Sequence, residues 1–203
     1  MFCKGLAVVL SAPSGAGKTT VAKQLVSAMS PHLCLSVSYT TRPKRTNEVD
    51  EVDYHFVNAQ QFEDMIQRDD FLEWAQIHDY LYGSSLHWVR NKLHKGHNVL
   101  LIVDVQGAEQ LKKRLPNCLL VFMVPPSLKC LEQRLRERNT ESLRCIEQRL
   151  QAAHYEVRFG LKHYDYVIIN DQLESTKEDL QTIIRAQHLL RVDREELRLR
   201  LLS

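Results

Sequence analysis

Short runs of apolar residues alternate along the chain with longer segments in which apolar residues recur every three or four positions. The runs at residues 6–10, 98–105, 118–124 and 166–169 are typical of strands that are buried on both faces of a parallel sheet. A segment with helical spacing follows each run. This order predicts a three-layer α/β fold with a central, mainly parallel sheet.

Two longer segments, residues 36–90 and 127–160, interrupt this alternation. Residues 34–39 alternate apolar and hydroxyl side chains as they lead into the first segment, which predicts one strand. Residues 71–77 predict another strand, and Asn58 is suited to cap a helix between the two. The second segment has helical spacing. We therefore expect two insertions, one mixed and one helical, on a common core.

Polar residues also mark where helices are predicted to begin and end. Ser84 is expected to cap a helix that ends at Gly96, because serine is a favoured N-cap and glycine commonly follows a helix. Ser175 and Glu178 have the spacing of a capping box, which predicts the start of the last helix.

The loop between the first strand and the first helix has the spacing of a phosphate-binding motif. The pattern G-x-x-x-x-G-K-[ST] is matched except at its first position, where the chain has Ala12. Gly15 and Gly17 leave room for backbone N–H groups to surround phosphate oxygens. In such a motif Lys18 reaches the transferring phosphate and Thr19 ligates Mg²⁺. The alternative is an ordinary strand-to-helix loop that contains glycines by chance.

Two carboxylates stand beside strongly apolar sequence. Glu73 lies within a predicted strand, where it either faces solvent or is held inward to accept hydrogen bonds from a ligand. Asp104 comes at the end of a predicted core strand, where it either binds a Mg²⁺-bound water or caps the following helix. The sequence leaves both alternatives open at each position.

Arginines occur in both interrupting segments. Arg42 and Arg45 follow a strand end, where ligand-binding loops are common, although solvated loop cations are the simpler interpretation. Arg134 and Arg138 lie four positions apart on a predicted helix, so both can approach one anion. Arg149 lies on the next helix. Interleaved glutamates make a salt-bridged solvent face the alternative interpretation.

Composition limits the class of protein. The 203 residues, 44% of them hydrophobic, are enough for one substantial core. A net charge of +2, from 27 basic and 25 acidic residues, argues against a general nucleic-acid or membrane surface. Five scattered cysteines without metal-site spacing indicate a reducing compartment, and no apolar run approaches the ~20 residues of a membrane span. We expect a cytoplasmic protein; its oligomeric state stays open, with a homo-oligomer as one option.

Eight short motifs occur along the chain in the order SAPSGAGKTT, SVSYTTR, FLEWAQ, YGSS, DVQGA, PPS, RLRER and VIIND. Together they resemble the guanylate kinases, P-loop enzymes that phosphorylate GMP with ATP, and the resemblance extends over residues 5–190. It implies a P-loop NTPase fold in one domain, residues 1–203. That domain would consist of a core at residues 1–35, 91–126 and 161–203, an inserted GMP-binding lobe at 36–90 and a helical lid at 127–160.

The resemblance also implies functions for individual residues. ATP would contact Ala12, Pro13, Ser14, Gly15, Ala16, Gly17, Lys18, Thr19, Thr20 and Asn170. GMP would contact Ser38, Arg42, Arg45, Glu48, Tyr54, Glu73, Tyr82, Ser84 and Asp104. The catalytic residues would be Lys18, Arg134, Arg138 and Arg149, and Mg²⁺ would be held by Thr19 and, through water, by Asp104.

The chain departs from the family pattern at several positions. Asn47 and Glu51 stand where glycines are usual, and Asn47 is expected to adopt the left-handed conformation. Ile102 replaces a common aspartate, which leaves Asp104 as the only carboxylate of that strand. Asn139 replaces a frequent glycine in the lid. None of these changes removes a residue that is expected to bind phosphate.

The resemblance implies transfer of the γ-phosphate of ATP to GMP, and to dGMP, without a covalent intermediate. Two alternatives belong to other classes. One is a non-catalytic, peptide-binding module with the same fold, against which the retained Lys18 and Thr19 argue. The other is a P-loop kinase with another acceptor, such as AMP, dTMP or a sugar phosphate. Glu73 argues against this one, because guanine offers a carboxylate two adjacent N–H donors and adenine does not.

Overall fold

Five parallel strands form the central sheet of the computed structural model, which describes residues 5–77, 79–137, 143–190, 198 and 201. Their order across the sheet is β2 (Leu33–Leu35), β7 (Asn98–Ile102), β1 (Ala7–Ser11), β8 (Leu119–Val124) and β9 (Tyr166–Ile169). Most residues of the inner strands are buried, as expected of a parallel sheet that is covered on both faces. The predicted three-layer α/β arrangement is therefore confirmed.

Helices cover both faces of the central sheet. Alternate residues of β1 point to opposite faces, so Val8 and Leu10 belong to one apolar cluster and Val9 to another. The first cluster includes residues of α1 (Lys18–Ala28), α5 (Leu128–Glu137), α6 (Leu143–His163) and α7 (Leu173–Leu190). The second includes residues of α3 (Leu86–His94) and α4 (Val105–Arg114). Within the part of the chain that the structure describes, none of the helices has the length and apolar character needed to cross a bilayer.

A second sheet lies in the segment between β2 and α3. Its order is β4 (His55–Phe56), β3 (Tyr39–Thr40), β6 (Tyr80–Ser85) and β5 (Phe71–Ile77), with β5 and β6 paired as an antiparallel hairpin. The helix of this segment, α2 (Ala59–Gln67), begins after Asn58, whose side chain accepts a hydrogen bond from the Gln61 N–H at 2.8 Å. The predicted cap at Asn58 is therefore confirmed.

Three side chains fasten this second sheet to the core. On α4, Gln110 accepts a hydrogen bond from the Trp74 N–H at 3.1 Å and donates one to the Trp74 carbonyl at 2.8 Å. Arg114, one turn later, donates to the carbonyl of Phe71. On α1, Lys23 forms an ion pair with Asp53 at 2.5 Å. The strand β5 is thus held against α4 at two points, one on each side of Glu73.

Two strands differ from the sequence prediction. The alternating segment at residues 34–39 is not one strand, because β2 belongs to the central sheet and β3 to the second sheet. A period of two residues identifies extended chain but does not say which sheet it joins. The strand predicted at 98–105 ends at Ile102, because Asp104 caps α4 and Val105 is already helical.

Two predicted helix caps are wrong. Ser85, not Ser84, caps α3 by accepting a hydrogen bond from the Trp88 N–H at 3.3 Å. The last helix, α7, begins at Leu173, so Ser175 lies inside its first turn and does not cap it. The predicted end of α3 is correct, since Gly96 follows the C-cap with a φ of 80°.

The left-handed residue in the polar loop is not the one that was expected. Among the described residues other than glycine, φ is positive at Glu51, with a value of 64°, and at Asp69, with a value of 55°. Asn47 is therefore not left-handed, and that expectation is wrong. Glu51 stands at the other position where the family commonly has glycine, and its backbone retains the conformation that glycine adopts without strain.

Replacing Glu51 with glycine should therefore stabilise the protein. Relief of the left-handed strain, about 1–2 kcal/mol, exceeds the added entropy of the unfolded chain, so we expect a net gain of about 0.5–1 kcal/mol in thermal or denaturant unfolding. Glu63→Gly, at an exposed position within α2, is the matched control and should lose about 1 kcal/mol. A lower melting temperature for Glu51→Gly would contradict this interpretation of the loop.

Candidate active site

The phosphate loop, residues 12–17, connects the carboxyl end of β1 to the first turn of α1. Gly15 and Gly17 have φ values of 94° and 89°, conformations that side chains other than glycine rarely adopt. The loop is closely covered, because a Cβ added at Gly15 would lie 2.7 Å from Leu135 and one added at Gly17 would lie 2.9 Å from Asn170. These glycines and the free amino end of α1 make the loop suitable for an anion.

Lys18 extends from the start of α1 toward the end of β7. Its ammonium group donates a hydrogen bond to the carbonyl of Val103 at 3.2 Å. Burial lowers the pKa of Lys18, although the nearby carboxylates of Glu156 and Asp104 act to raise it. The two carboxylates stabilise the charged form of Lys18 against burial, and phosphate oxygens can contact the ammonium group directly.

A central cavity of about 640 Å³ opens over the phosphate loop. Lys18 and Thr19 line one side, and Arg45 reaches it from the loop that follows β3. The remaining charged lining consists of Asp104, Arg149 and Glu156. One cavity thus contains the phosphate loop, one arginine of the first insertion and two charged residues of α6.

The helix α6 contacts the phosphate loop through Arg149, whose guanidinium donates a hydrogen bond to the Ser14 hydroxyl at 2.7 Å. Glu156 lies seven residues later, two turns along the same helix face. Burial raises the pKa of Glu156, and the charge of Lys18 opposes this effect. The sequence reasoning did not identify Glu156, although its spacing from Arg149 was a usable signal. It adds a second acidic side chain near Asp104, close to the strand where Ile102 supplies none.

Asp104 acts as a helix cap. Its Oδ1 atom accepts a hydrogen bond from the Gly107 N–H at 2.8 Å, so the capping alternative for this residue is confirmed. The same residue lines the central cavity beside Thr19. A carboxylate that caps with one oxygen can still face a ligand with the other, so the cap does not exclude a function in the site.

Asn170 supports the phosphate loop through a side-chain hydrogen bond. Its side-chain amide donates to the Ala16 carbonyl at 2.6 Å, and its Oδ1 atom accepts from the Thr176 hydroxyl at 3.0 Å. Both ends of the amide are therefore engaged within the protein. A second cavity of about 390 Å³ adjoins the loop here and is lined by Arg134, Asn170 and Leu173, among others. Arg138, the other arginine expected on α5, lies outside the described residues.

Glu73 is directed inward and is only 5% exposed, which excludes the solvent-facing alternative. Its Oε1 atom accepts a hydrogen bond from the Ser84 hydroxyl at 2.7 Å across the β5–β6 hairpin. Burial raises the pKa of Glu73 to about 7, with a smaller contribution from the charge of Asp104. The Glu73 carboxyl group therefore gains or loses its proton near neutral pH, where an ordinary carboxyl group is fully ionised.

Neighbouring side chains hold the Arg42 guanidinium in place, so it is not a solvated loop cation. It forms an ion pair with Glu48 at 2.7 Å, and its guanidinium lies 5.4 Å from the ring centre of Tyr54. Although burial opposes its charge, hydrogen bonds with Glu48 and Tyr82 raise the pKa of Arg42 above its usual value. The second oxygen of Glu48 accepts a hydrogen bond from the Arg45 N–H at 2.9 Å. One carboxylate thus binds the side chain of Arg42 and the backbone of Arg45.

The expected site residues form separate groups in this structure. The phosphate loop, Lys18, Thr19, Asp104 and Arg149 meet at the central cavity, together with Arg45. Arg42, Glu48, Tyr54 and Tyr82 cluster where the loop after β3 packs on the second sheet, and the ring centres of Tyr54 and Tyr82 are 5.9 Å apart. Glu73 and Ser84 form a third group, and Ser38 is half-buried on the loop before β3. Arg134 faces the adjacent cavity instead, with its guanidinium 3.5 Å from the Asn170 carbonyl.

A parallel sheet, a glycine-containing loop that leads into a helix, and a half-buried lysine at the start of that helix define a P-loop nucleotide-binding protein. The family model described as guanylate kinase matches residues 4–187. The chain therefore belongs to the guanylate kinase family.

Individual relatives agree with this assignment. The chain is 44% identical over 186 residues to a guanylate kinase of Carboxydothermus hydrogenoformans, covering 92% of this chain and 90% of that protein. It is 43% identical over 181 residues to a guanylate kinase of Chromobacterium violaceum, covering 89% and 85%. Among solved structures, the guanylate kinase from Anaplasma phagocytophilum superposes with a TM-score of 0.80 at 30% identity, covering 96% of this chain and 94% of that one.

The raised pKa of Glu73 predicts a specific dependence of stability on pH. The folded protein retains a proton that the unfolded chain releases between pH 4.5 and about 7, so folding stability falls as the pH rises through that window. The full loss is about 3 kcal/mol. Glu73→Gln removes this loss, so the variant should gain stability over the parent above pH 7 and gain little at pH 4.5.

Denaturant unfolding of both proteins at pH 5 and pH 8 measures this difference. Glu63→Gln, which changes an exposed carboxylate of α2, is the control and should behave like the parent at both pH values. A constant difference between Glu73→Gln and the parent across this range would show that Glu73 titrates normally.

Proposed function

We propose that this protein transfers the γ-phosphate of ATP to GMP, and to dGMP, to give ADP and GDP or dGDP. The observation that carries the proposal is the buried Glu73–Ser84 pair within an insertion whose Arg45 lines the same cavity as the phosphate loop. Membership of the guanylate kinase family supports it. Cytoplasmic location stays a prediction from the sequence, and the oligomeric state stays open, with a homo-oligomer as one option.

ATP binds with its phosphates on the loop from Ala12 to Gly17, beside Lys18, Thr19 and Thr20. The backbone N–H groups of the loop and the amino end of α1 stabilise the phosphate charge. The adjacent cavity lined by Arg134 and Asn170 accommodates the adenosine part. Because the Asn170 side chain is occupied by Ala16 and Thr176, its contribution there is to hold the loop and to offer its backbone.

GMP binds in the lobe formed by residues 36–90. The ionised Glu73 carboxylate accepts hydrogen bonds from guanine N1–H and the N2 amino group, and Ser38 and Ser84 complete the contacts to the base. Arg42, Arg45, Tyr54 and Tyr82 bind its phosphate, with Glu48 holding both arginines in place. Adenine would leave the buried carboxylate unpaired, which costs far more than a lost contact at the surface.

Mg²⁺ fits the donor set beside the phosphate loop. The described residues contain no group of three or more His, Cys, Asp or Glu side chains that could hold a metal by themselves. The Thr19 hydroxyl and the Asp104 carboxylate line one cavity, and Mg²⁺ typically takes one or two such oxygens together with substrate phosphates. When bound with ATP, the ion neutralises charge on the β- and γ-phosphates.

The protein positions its substrates and neutralises charge rather than forming a covalent intermediate. Lys18 contacts the phosphoryl group that is being transferred, and it stabilises the negative charge that spreads over the phosphoryl oxygens. Arg134, Arg138 and Arg149, from the lid at residues 127–160, complete the clamp as the lid closes. Arg149 needs to move little for this purpose, because it already binds Ser14 at the rim of the phosphate loop.

Removing the lysine charge should abolish turnover. Lys18→Met is expected to lower kcat by roughly 10³-fold or more, by analogy with other cations that stabilise a transferring phosphoryl group. The control is Lys162→Met, a matched substitution at an exposed position of α6. ADP release measured with and without GMP also separates this function from a non-catalytic module, which would show no GMP-dependent turnover. Parent-like activity of Lys18→Met would refute the assignment.

Guanine recognition by Glu73 can be tested by acceptor selectivity. Glu73→Gln replaces one acceptor atom with a donor and should cost GMP about 1–3 kcal/mol in kcat/KM, while AMP, already rejected, changes little. A coupled ADP assay across GMP, dGMP, IMP, AMP and dTMP gives the ratio directly, with Glu63→Gln as the control. An unchanged preference for GMP over AMP would exclude Glu73 as the residue that recognises the base.

A further inference from the structure

We propose that Gly107 determines guanine selectivity, because the absence of its side chain leaves the space that the Glu73 carboxylate occupies. The inference rests on the proposed function and adds a positioning residue to it. Gly107 lies in the first turn of α4, on the side that faces β5, and no contact with a nucleotide is required of it.

The geometry of this turn shows a close approach. A Cβ atom added at Gly107 would lie 2.7 Å from Oε2 of Glu73, closer than real Cβ contacts occur. It would also lie 3.1 Å from the Cβ of Val103, which requires a shift of a few tenths of an ångström, and 3.4 Å from Oδ1 of Asp104, which is an ordinary contact. The carboxylate of Glu73 is therefore the neighbour that an added methyl group would displace.

Backbone conformation does not explain a glycine at this position. Gly107 lies within α4 and is absent from the glycines with positive φ, which among the described residues are Gly15, Gly17 and Gly96. Alanine is favoured over glycine inside a helix, so helix stability argues against the residue that is present. The space occupied by Glu73 is the physical reason that remains.

The helix and the strand cannot easily separate to make room for a side chain. Gln110 binds both backbone groups of Trp74, and Arg114 binds the carbonyl of Phe71, so β5 is fastened to α4 on either side of Glu73. The Glu73 side chain can turn about its own bonds, whereas separating the strand from the helix would break the hydrogen bonds of both Gln110 and Arg114. A methyl group at position 107 should therefore rotate the carboxylate and leave the fold intact.

Rotation of the carboxylate would affect the binding of GMP and leave the binding of ATP unchanged. Oε1 of Glu73 is bound to Ser84, and Oε2 is the atom next to Gly107, so moving Oε2 disturbs the pair of oxygens that faces guanine. Phosphate contacts on the loop that follows β3 and the ATP side of the central cavity involve other residues. The effect should therefore appear in the KM for GMP and in discrimination by the 2-amino group.

The direct test is Gly107→Ala with GMP, IMP and ATP varied in turn. We expect the KM for GMP to rise roughly tenfold, the size of one good base contact. The KM for ATP should stay within about twofold, and the melting temperature should not fall. IMP lacks the 2-amino group, so its kcat/KM should fall less than that of GMP and the GMP-to-IMP preference should decrease. Glu109→Ala, at an exposed position of the same helix, is the control.

A second background separates displacement of Glu73 from a general effect on the helix. In Glu73→Asp the carboxylate is one methylene shorter, so an added methyl at position 107 has room and Gly107→Ala should change the KM for GMP by less than about twofold. Equal effects in both backgrounds, or an unchanged GMP-to-IMP ratio in the single variant, would overturn the proposal.

Folding of the variant is itself an informative outcome. If Gly107→Ala alone fails to fold, recovery of folding in the Glu73→Asp background supports a clash between the added methyl group and Glu73, and failure to fold in both backgrounds overturns the proposal. If the unsubstituted protein shows no GMP-dependent ADP release, the proposed function fails and the inference fails with it. An active parent protein with parent-like kinetics in Gly107→Ala refutes only the inference about position 107.

Discussion

The pairing of β1 with β7 on one side and β8 on the other is the constraint on which the site depends. Leu10 lies opposite Ile102 and Val121, so the carboxyl ends of these parallel strands meet at one edge of the sheet. That edge receives the phosphate loop directly from β1, and Asp104 follows two residues after β7 ends. Lys18 then reaches back across the edge to the Val103 carbonyl. Residues far apart in sequence thus become neighbours at this edge.

Much of the core could be predicted from sequence because its signals are local. β5 and β9 have the predicted limits, Asn58 caps its helix, and the phosphate loop has its expected neighbours. The errors arise where the outcome depends on distant parts of the chain. Whether a serine caps a helix or binds a carboxylate on the paired strand is decided by the register of β5 and β6, which places Ser84 opposite Glu73. Periodicity alone does not contain that register.

The candidate site was less predictable than the fold, because its residues act through burial and mutual charge. Arg42 would be an ordinary surface cation without Glu48 and the Tyr54 ring, and Glu156 becomes notable only when α6 lies over Lys18. The burial that shapes this site also lowers the stability of the fold in the absence of a ligand. Burial of the Glu73 carboxyl group and of the Lys18 ammonium group disfavours their charged forms, and it therefore opposes folding as long as no ligand compensates for it.

The contact between the Asn170 amide and the Ala16 carbonyl has a consequence for biosynthesis. These residues are 154 positions apart, so the phosphate loop leaves the ribosome well before the amide that supports it. The Thr176 hydroxyl that holds this amide emerges later still. A nascent chain that stops short of β9 therefore lacks the contact that braces its anion-binding turn, so competence to hold a nucleotide is acquired only after β9 and the start of α7 have been made.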